Sequence, residues 1–192
     1  VEERQVVLGA LDARSLGLGG WTLDVHHFYD PDNQELYLGD GTRISAKNIP
    51  DVFTHFAGTG TLGYSGDGGL ATAANLTPVR ITTDAAGNLY IGENYYIRRV
   101  DPDGIITTIA GTGATSNSGD GGLAITAGMA STNDLAIDKD GNIYILQYSS
   151  CQIRKIDAVT QIISTFAGTG TCGFSGDGGT ATAAKLNFPS GL

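Results

Sequence analysis

With 192 residues, the chain has room for one ordinary domain, and its 41% hydrophobic content can supply a core. Its 29 glycines favour a turn-rich all-β protein, and no run of 18 apolar residues indicates a membrane span. The net charge of −9 repels phosphate backbones, and the 11 lysines and arginines form no basic stripe, so nucleic-acid binding is disfavoured.

The N-terminal segment, residues 1–52, is predicted to be a linker that contains a β-hairpin. A glycine hinge at 16–20 precedes an extended stretch, WTLDVHHFY, from Trp21 to Tyr29. The turn Asp30-Pro31-Asp32-Asn33 then leads into a second strand at Glu35–Gly41. We interpret this hairpin as a divergent relative of the repeats that follow, which makes a divergent first blade one interpretation of the segment.

One sequence stretch occurs three times in the rest of the chain. It reads FAGTGTLGYSGDGGLATAANL at 56–76, IAGTGATSNSGDGGLAITAGM at 109–129 and FAGTGTCGFSGDGGTATAAKL at 166–186. The spacings are 111 − 58 = 53 and 168 − 111 = 57 residues. Self-similarity with such a period is typical of solenoids, propellers and arrays.

Between the copies, short β-branched and aromatic runs alternate with Asp-, Asn- and Gly-containing turns. The interval between the first two copies predicts strands at 79–83, 88–92, 96–101 and 105–110. The second interval, 135–168, repeats this pattern of strands and turns. Four short strands per unit favour β-propeller blades, with the SGDGG stretch linking the outer strand of one blade to the inner strand of the next. We therefore predict an all-β fold, a partial propeller over residues 53–192 that continues beyond 192.

This assignment leaves too few blades to close a ring, since propellers typically have about 4–8 of them. A half-ring would expose two strand edges and half a core. We expect either a piece of a longer protein, which we favour, or a short propeller that closes by self-association.

The units resemble NHL repeats. DAAGNLYIGENYYIRRVDPDGIITTIAGTG and DKDGNIYILQYSSCQIRKIDAVTQIISTFAGTG follow the pattern of a turn, N-[LI]-Y-[IV], a basic third strand ending in Asp, and a closing AGTG. The resemblance covers residues 53–192. The acidic residue after the second strand is Glu93 in one copy and Gln147 in the next, so this position has no single repeated chemical role.

The segment from Leu16 to Arg43, with GGWTLDVHH at its core, resembles the entry to the propeller in teneurins and in bacterial Rhs and YD-repeat proteins. NYYIRRV, at 94–100, is similar to a teneurin NHL blade. The resemblance implies the plug-to-propeller junction of a large surface or secreted protein. It implies an extracellular or cell-surface location and a scaffold or adhesion role, with the protein's own YD shell, an external surface protein or a glycan as partner.

The aspartates of the three SGDGG stretches, Asp67, Asp120 and Asp177, are candidates for a cation site. One carboxylate per loop is a poor calcium site, so we favour tight turns in which Asp caps amides. Asp138–Asn142 begins like an EF-hand loop but has no glutamate at position 12, and we predict a hairpin turn there. The adjacent His26 and His27 point to opposite faces of a strand. We therefore assign no metal and no cofactor.

No nucleophile or phosphate-loop motif occurs, and we predict no enzyme activity. The rival hypothesis is a channel-site metal-dependent lyase or hydrolase whose ligands lie in other blades. Aromatic residues on loops suit protein contacts as well as packing between blades, and both interpretations stay open. The candidates are Tyr64, Tyr95, Tyr96, Tyr148 and Phe174, together with the three loop aspartates. The sequence also leaves open whether Cys151 and Cys172 are bonded.

Overall fold

The structure is a computed structural model that describes residues 27–30, 35–39, 44–48 and 52–192, with side chains from residue 54 onward. The glycine hinge at 16–20, most of GGWTLDVHH and the turn residues 31–33 lie outside the described residues. So does His26, and the side chain of His27 is not described.

The described part of the chain forms twelve strands in three four-stranded antiparallel sheets, each with its strands in chain order. Blade 1 contains β1 His27–Asp30, β2 Glu35–Gly39, β3 Ile44–Asn48 and β4 Val52–Ala57. Blade 2 contains β5 Pro78–Thr83, β6 Leu89–Glu93, β7 Ile97–Val100 and β8 Ile106–Ala110. Blade 3 contains β9 Asp134–Ile137, β10 Ile143–Gln147, β11 Gln152–Ile156 and β12 Ile163–Ala167.

The first strands of the three sheets are neighbours, since β5 adjoins both β1 and β9. Helical structure in the described residues is limited to 3₁₀ turns of three residues each, at Ala71–Ala73, Ala124–Thr126, Tyr148–Ser150 and Ala181–Ala183. Inner strands that adjoin and outer strands joined by long connections are the arrangement of propeller blades. The predicted fold class is confirmed.

The hairpin predicted in the N-terminal segment is β1 and β2, which pair antiparallel with His27 opposite Leu38. They belong to a complete four-stranded sheet, because β3 and β4 follow. β4 lies on both sides of the proposed boundary between residues 52 and 53. That boundary stays a prediction.

Aspartate side chains set the turns between the first two strands of blades 2 and 3. Asp84 accepts hydrogen bonds from the backbone N–H groups of Ala86 and Asn88, at 3.0 and 2.9 Å. Asp138 accepts the equivalent bonds from Asp140 and Asn142, at 3.0 and 2.9 Å. Because the carboxylate holds the chain in a tight turn, Asp138–Asn142 is a hairpin connection, as predicted.

The hydrophobic core lies between neighbouring blades and includes residues of the connections. One cluster joins Ala57 to aliphatic residues of blade 2 through residues 71–76. A second joins blade 2 to blade 3 through residues 124–129. The connections between blades are therefore part of the core.

Candidate protein-contact site

Three connections carry the repeated sequence, and we call them linker 1 (residues 58–77), linker 2 (111–133) and linker 3 (168–192). Linkers 1 and 2 run from the last strand of one blade to the first strand of the next, as predicted. Each also pairs with the last strand of the following blade. Gly68 N–H donates to Ile106 O at 2.8 Å, and Ile106 N–H donates to Gly69 O at 3.0 Å. Linker 2 repeats both bonds with Ile163, so the SGDGG stretch extends the sheet of the next blade.

A buried arginine ties linker 1 to blade 2. Arg98, in β7, is 0% exposed, and its Nε and Nη2 donate to Asp67 Oδ1 at 3.1 and 2.6 Å. The guanidinium also donates to the backbone carbonyls of Asn75 and Ser65, at 3.2 and 2.8 Å. The other oxygen of Asp67, Oδ2, accepts from Thr108 N–H at 3.1 Å. One carboxylate thus binds two strands of the following blade.

The same arrangement joins linker 2 to blade 3. Arg154 is 1% exposed and donates from Nε to Asp120 Oδ1 at 3.0 Å, from Nη1 to Gly128 O at 2.9 Å and from Nη2 to Ser118 O at 3.0 Å. Asp120 Oδ2 accepts from the N–H and hydroxyl of Thr165, at 2.9 and 2.6 Å. A buried guanidinium needs a full set of acceptors, and each linker supplies them.

An irregularity in the strand register lies directly next to both arginines and sets the direction of their side chains. The pairing of β7 with β8 shifts between Ile97 and Arg98, and that of β11 with β12 shifts between Ile153 and Arg154. A bulge redirects the side chain beside it. Blade 1 has the same irregularity directly before Ser45, so serine occupies the arginine position there.

The carboxylates of Asp67 and Asp120 have pKa values below the usual range. Burial acts in the opposite direction on each pKa. Hydrogen bonds from the threonine and arginine partners favour the charged form and outweigh burial, so the pKa falls. Both groups are therefore ionised when they bind their arginines at neutral pH.

Asp177 occupies the same place in linker 3, where the surroundings differ. Its side chain is exposed, and within the described residues it has no hydrogen-bond partner. The sequence singled out all three aspartates as contact residues. The structure places Asp67 and Asp120 in contacts within the chain and Asp177 at the surface.

The aromatic candidates fall into two groups. Tyr64 stacks on Tyr96 with ring centroids 4.0 Å apart, and its hydroxyl donates to Asp67 at 3.1 Å. Despite these contacts, Tyr64 is 44% exposed. Asn117 occupies the equivalent place in linker 2 and donates to Ser150 and Gln152, both at 2.9 Å.

Phe174 occupies the same place in linker 3 and is 83% exposed. Tyr148, in the turn between β10 and β11, is 42% exposed and lies 5.1 Å from the ring of Phe188. Tyr95 is half-buried in the corresponding turn of blade 2. Phe174 is thus the most exposed of the aromatic candidates, and Tyr64 and Tyr148 are exposed to similar extents.

Glycine is required where linker 1 turns beside its own 3₁₀ segment. Gly66 has φ of +90°, and a Cβ there would lie 2.8 Å from the Cα of Ala74. Gly68, two residues on, has φ of +80° with open space around it. The same close approach recurs at Gly119 and Gly176, so the three linkers share one backbone path.

Cys151 and Cys172 form a disulfide, which answers the question that the sequence left open. Cys151 ends the 3₁₀ turn after β10, and Cys172 lies in linker 3. The bond therefore fastens linker 3 to the blade that precedes it.

Glu93 and Gln147, at equivalent positions, make different contacts. Burial raises the pKa of Glu93, against the hydrogen bond that Glu93 Oε1 accepts from Thr77 N–H at 2.9 Å. Gln147 instead donates to Ala130 O at 3.1 Å, and its Oε1 is buried without a partner among the described residues. The carboxylate accepts from a linker amide, whereas the glutamine donates to a linker carbonyl.

In the part of the chain that the structure describes, no group of three or more His, Cys, Asp and Glu side chains could hold a metal ion. The carboxylates of Asp67 and Asp120 are occupied by guanidinium, amide and hydroxyl donors. Over the same residues, no helix is long and apolar enough to cross a bilayer.

Sequence reasoning missed the two arginines. A signal was available, because Arg98 and Arg154 follow the SGDGG aspartates by 98 − 67 = 31 and 154 − 120 = 34 residues and occupy the same place in the repeat. A buried position on a predicted strand normally excludes a charge. An arginine repeated there indicates a repeated carboxylate partner.

Comparison with known proteins relates the whole chain to teneurins. It is 30% identical to Teneurin-3 of Danio rerio over 208 aligned positions, which cover 100% of this chain and 7% of the relative. Identity with Teneurin-1 of Homo sapiens is 26%, again over 100% of this chain and 7% of the relative. Teneurin-m of Drosophila melanogaster is 30% identical over 91% of this chain. No family model matches.

Solved structures share the fold. A protein of unknown function from Bacteroides thetaiotaomicron superposes with a TM-score of 0.65 at 23% identity, covering 87% of this chain and 41% of that one. An auxiliary nutrient binding protein from the same organism gives 0.61 at 19% identity, over 85% and 40%. A streptogramin B lyase gives 0.51 at 10% identity, over 74% and 39%. Along its length, this chain is thus similar to one short segment, about 7%, of the teneurins it matches.

Proposed function

We propose that this chain is a non-enzymatic interaction and scaffold module, an NHL-type propeller segment of a teneurin-like or Rhs-like surface protein. Similarity to teneurins along the whole chain supports the family assignment. A cell-surface or extracellular location follows from the same resemblance. The YD shell of such a protein, or an external surface protein, is the proposed partner.

One observation carries the proposal: large apolar side chains stand in solvent on linkers and turns that the blades hold rigidly. Phe174 and Tyr148 are exposed, and so are Leu70 and Leu123 at equivalent places in linkers 1 and 2. The backbone next to Leu70 and Leu123 is fixed by hydrogen bonds to the last strand of the following blade, and the disulfide between Cys151 and Cys172 fastens the loop that carries Phe174. Exposed aromatic and aliphatic groups on a rigid frame lose little entropy when they are buried by a partner.

The test is binding of the intact chain to an array of purified cell-surface ectodomains and to a glycan array, with and without a chelator. We expect binding that persists in the chelator and falls at least about tenfold on Tyr148→Ala, the loss typical of an interface hot spot. Val159→Ala is the control, because Val159 is an exposed apolar residue in a different turn, the one between β11 and β12. An ectodomain that binds wild type and Tyr148→Ala equally, or substrate turnover that the chelator abolishes, would contradict the proposal.

A further inference from the structure

The disulfide joins a buried sulfur to one near the surface. Cys151 is 0% exposed, whereas Cys172 is partly exposed. Leu62 and Thr115 occupy the place of Cys172 in linkers 1 and 2, and both are exposed although a blade packs on each of those linkers. This place in the repeat therefore lies at the surface of the molecule whether or not a blade follows. A dissolved reagent can reach Cys172, whereas Cys151 is shielded from it.

A thiol at Cys151 has a hydrogen-bond acceptor already in place. Cys151 Sγ lies 3.5 Å from Tyr148 O. A disulfide sulfur has no proton to donate, but the S–H group of a free thiol can donate to that carbonyl. The buried position therefore accepts the reduced form of Cys151 without leaving an unpaired polar group.

A lysine accompanies the cysteine in linker 3. Lys185 is exposed and passes beside Gly173, since a Cβ at Gly173 would lie 3.3 Å from Lys185 Cδ. The residues at the same place in linkers 1 and 2 are Asn75 and Gly128, which carry no charge. A cation close to a cysteine stabilises a thiolate. Lys185 thus places a positive charge beside the residue that follows Cys172, where it attracts an attacking thiolate.

Cys151 also ends the turn that presents Tyr148. Cys151 N–H donates to Tyr148 O at 3.2 Å, and Tyr148 N–H donates to Asn133 Oδ1 at 3.1 Å. Cys151 has φ of +48°, in the left-handed region that residues other than glycine rarely adopt. Such a conformation persists where its surroundings impose it, and the bond to Cys172 is one of these constraints. Breaking the bond therefore allows the turn to relax and the ring of Tyr148 to move.

We propose that Cys172 is a thiol-exchange site, at which a small anionic thiol controls the turn that carries Tyr148. The attacking thiolate bonds to Cys172 Sγ, the bond between the two cysteine sulfurs breaks, and its electron pair leaves on Cys151 Sγ, which takes a proton from water. The small thiol is oxidised to a mixed disulfide, and Cys151 is reduced. Lys185 attracts the thiolate, and the turn loosens. The control of binding rests on the proposed function, because Tyr148 is one of its contact residues.

The first test treats the intact, oxidised chain with the anionic thiol mercaptoethanesulfonate and stops the reaction with acid. Peptide mass spectrometry after denaturation and alkylation then locates the added thiol. We expect it on Cys172, with the alkyl group on Cys151, in at least about tenfold excess over the reverse product, because access decides which sulfur is attacked. Equal amounts of the two products, or exchange no faster than global unfolding, would overturn the proposal.

A charge substitution tests the part played by the lysine. Lys185→Ala is expected to slow exchange with mercaptoethanesulfonate about fivefold, the effect of one unit charge about 4 Å away in water, and not to slow exchange with the cationic thiol cysteamine. Lys139→Ala is the matched control, because it removes the same charge from an exposed turn at the opposite end of β10. Equal slowing by the two variants would refute the role of Lys185.

Hydrogen exchange follows the turn itself. In the mixed disulfide, the N–H groups of Tyr148 and Cys151 should exchange at least about tenfold faster, as expected for a segment that opens locally. Gly141 N–H, which donates to Asp138 O at the other end of β10, should exchange at an unchanged rate. Unchanged protection at Cys151 would overturn the control of the turn. These measurements need no partner ectodomain, so the chemistry at Cys172 and the proposed function can fail or stand separately.

Discussion

Replacement of Asp120 by alanine tests the contact between linker and blade directly. The change removes both bonds to the guanidinium of Arg154, which stays buried and keeps only its two carbonyl acceptors. Breaking a buried ion pair costs about 3–5 kcal/mol. Asp120 itself is 46% exposed, so water can replace part of the lost interaction. We expect a loss of about 2 kcal/mol in the free energy of unfolding, the range for a hydrogen bond to a charged group.

Asp177→Ala is the matched control, because its surrounding sequence is nearly the same but no arginine faces it in the described structure. We expect this variant to stay within about 0.5 kcal/mol of wild type, as surface substitutions usually do. Urea unfolding followed by circular dichroism measures both, and hydrogen exchange at Gly121 and Ile163 measures the contact locally.

The pH dependence supplies a second check. Because the pKa of Asp120 is lowered in the folded chain, its stabilisation is complete above its ordinary value of 3.8 and is lost as the pH falls through the folded value. The gap between wild type and Asp120→Ala should therefore close in acid. Equal losses for the two alanine variants, or a gap that does not change with pH, would refute the role assigned to this ion pair.

Three further predictions concern other parts of the chain. Gly66→Ala should lower the free energy of unfolding by about 1–3 kcal/mol more than Gly68→Ala, measured by urea unfolding. Both substitutions strain the backbone, but only Gly66→Ala also adds a steric clash. Equal losses for the two variants would contradict this explanation. Reduction of the disulfide between Cys151 and Cys172, 21 residues apart, should lower the free energy of unfolding by about 3 kcal/mol, because the unfolded chain regains loop entropy. Thermal unfolding with and without a reductant measures this loss, and an unchanged melting temperature would contradict it. Glu93→Gln should stabilise the chain at pH 7, because burial raises the pKa of Glu93 and penalises its charge. That gain should grow as the pH rises above 4.5 and vanish below it, and a gain that persists in acid would point to packing instead.

Local chemistry was enough to predict most elements of the fold. The β-branched runs, the Asp-centred turns and the repeat predicted the strands of blades 2 and 3 and the linkers that join them, because these depend on residues close in sequence. The complete blade 1 was less visible. Its strand β3 lacks the repeated turn signal, and β4 is marked only by the linker repeat that begins at Phe56, so the pairing of β3 with β2 and with β4 is what reveals the sheet.

The sequence by itself thus determined the period, the strand pattern and the turn chemistry of this protein. Tertiary structure alone decided which aspartates meet arginines, because Asp67 and Arg98 lie 31 residues apart and approach only when a linker crosses to the next blade. It also decided that Cys151 bonds to Cys172, and that Phe174 stands in solvent while Tyr64 stacks on a neighbour. Near-identical loop sequences have different surroundings because a neighbouring sheet, not the loop, supplies the partner atoms.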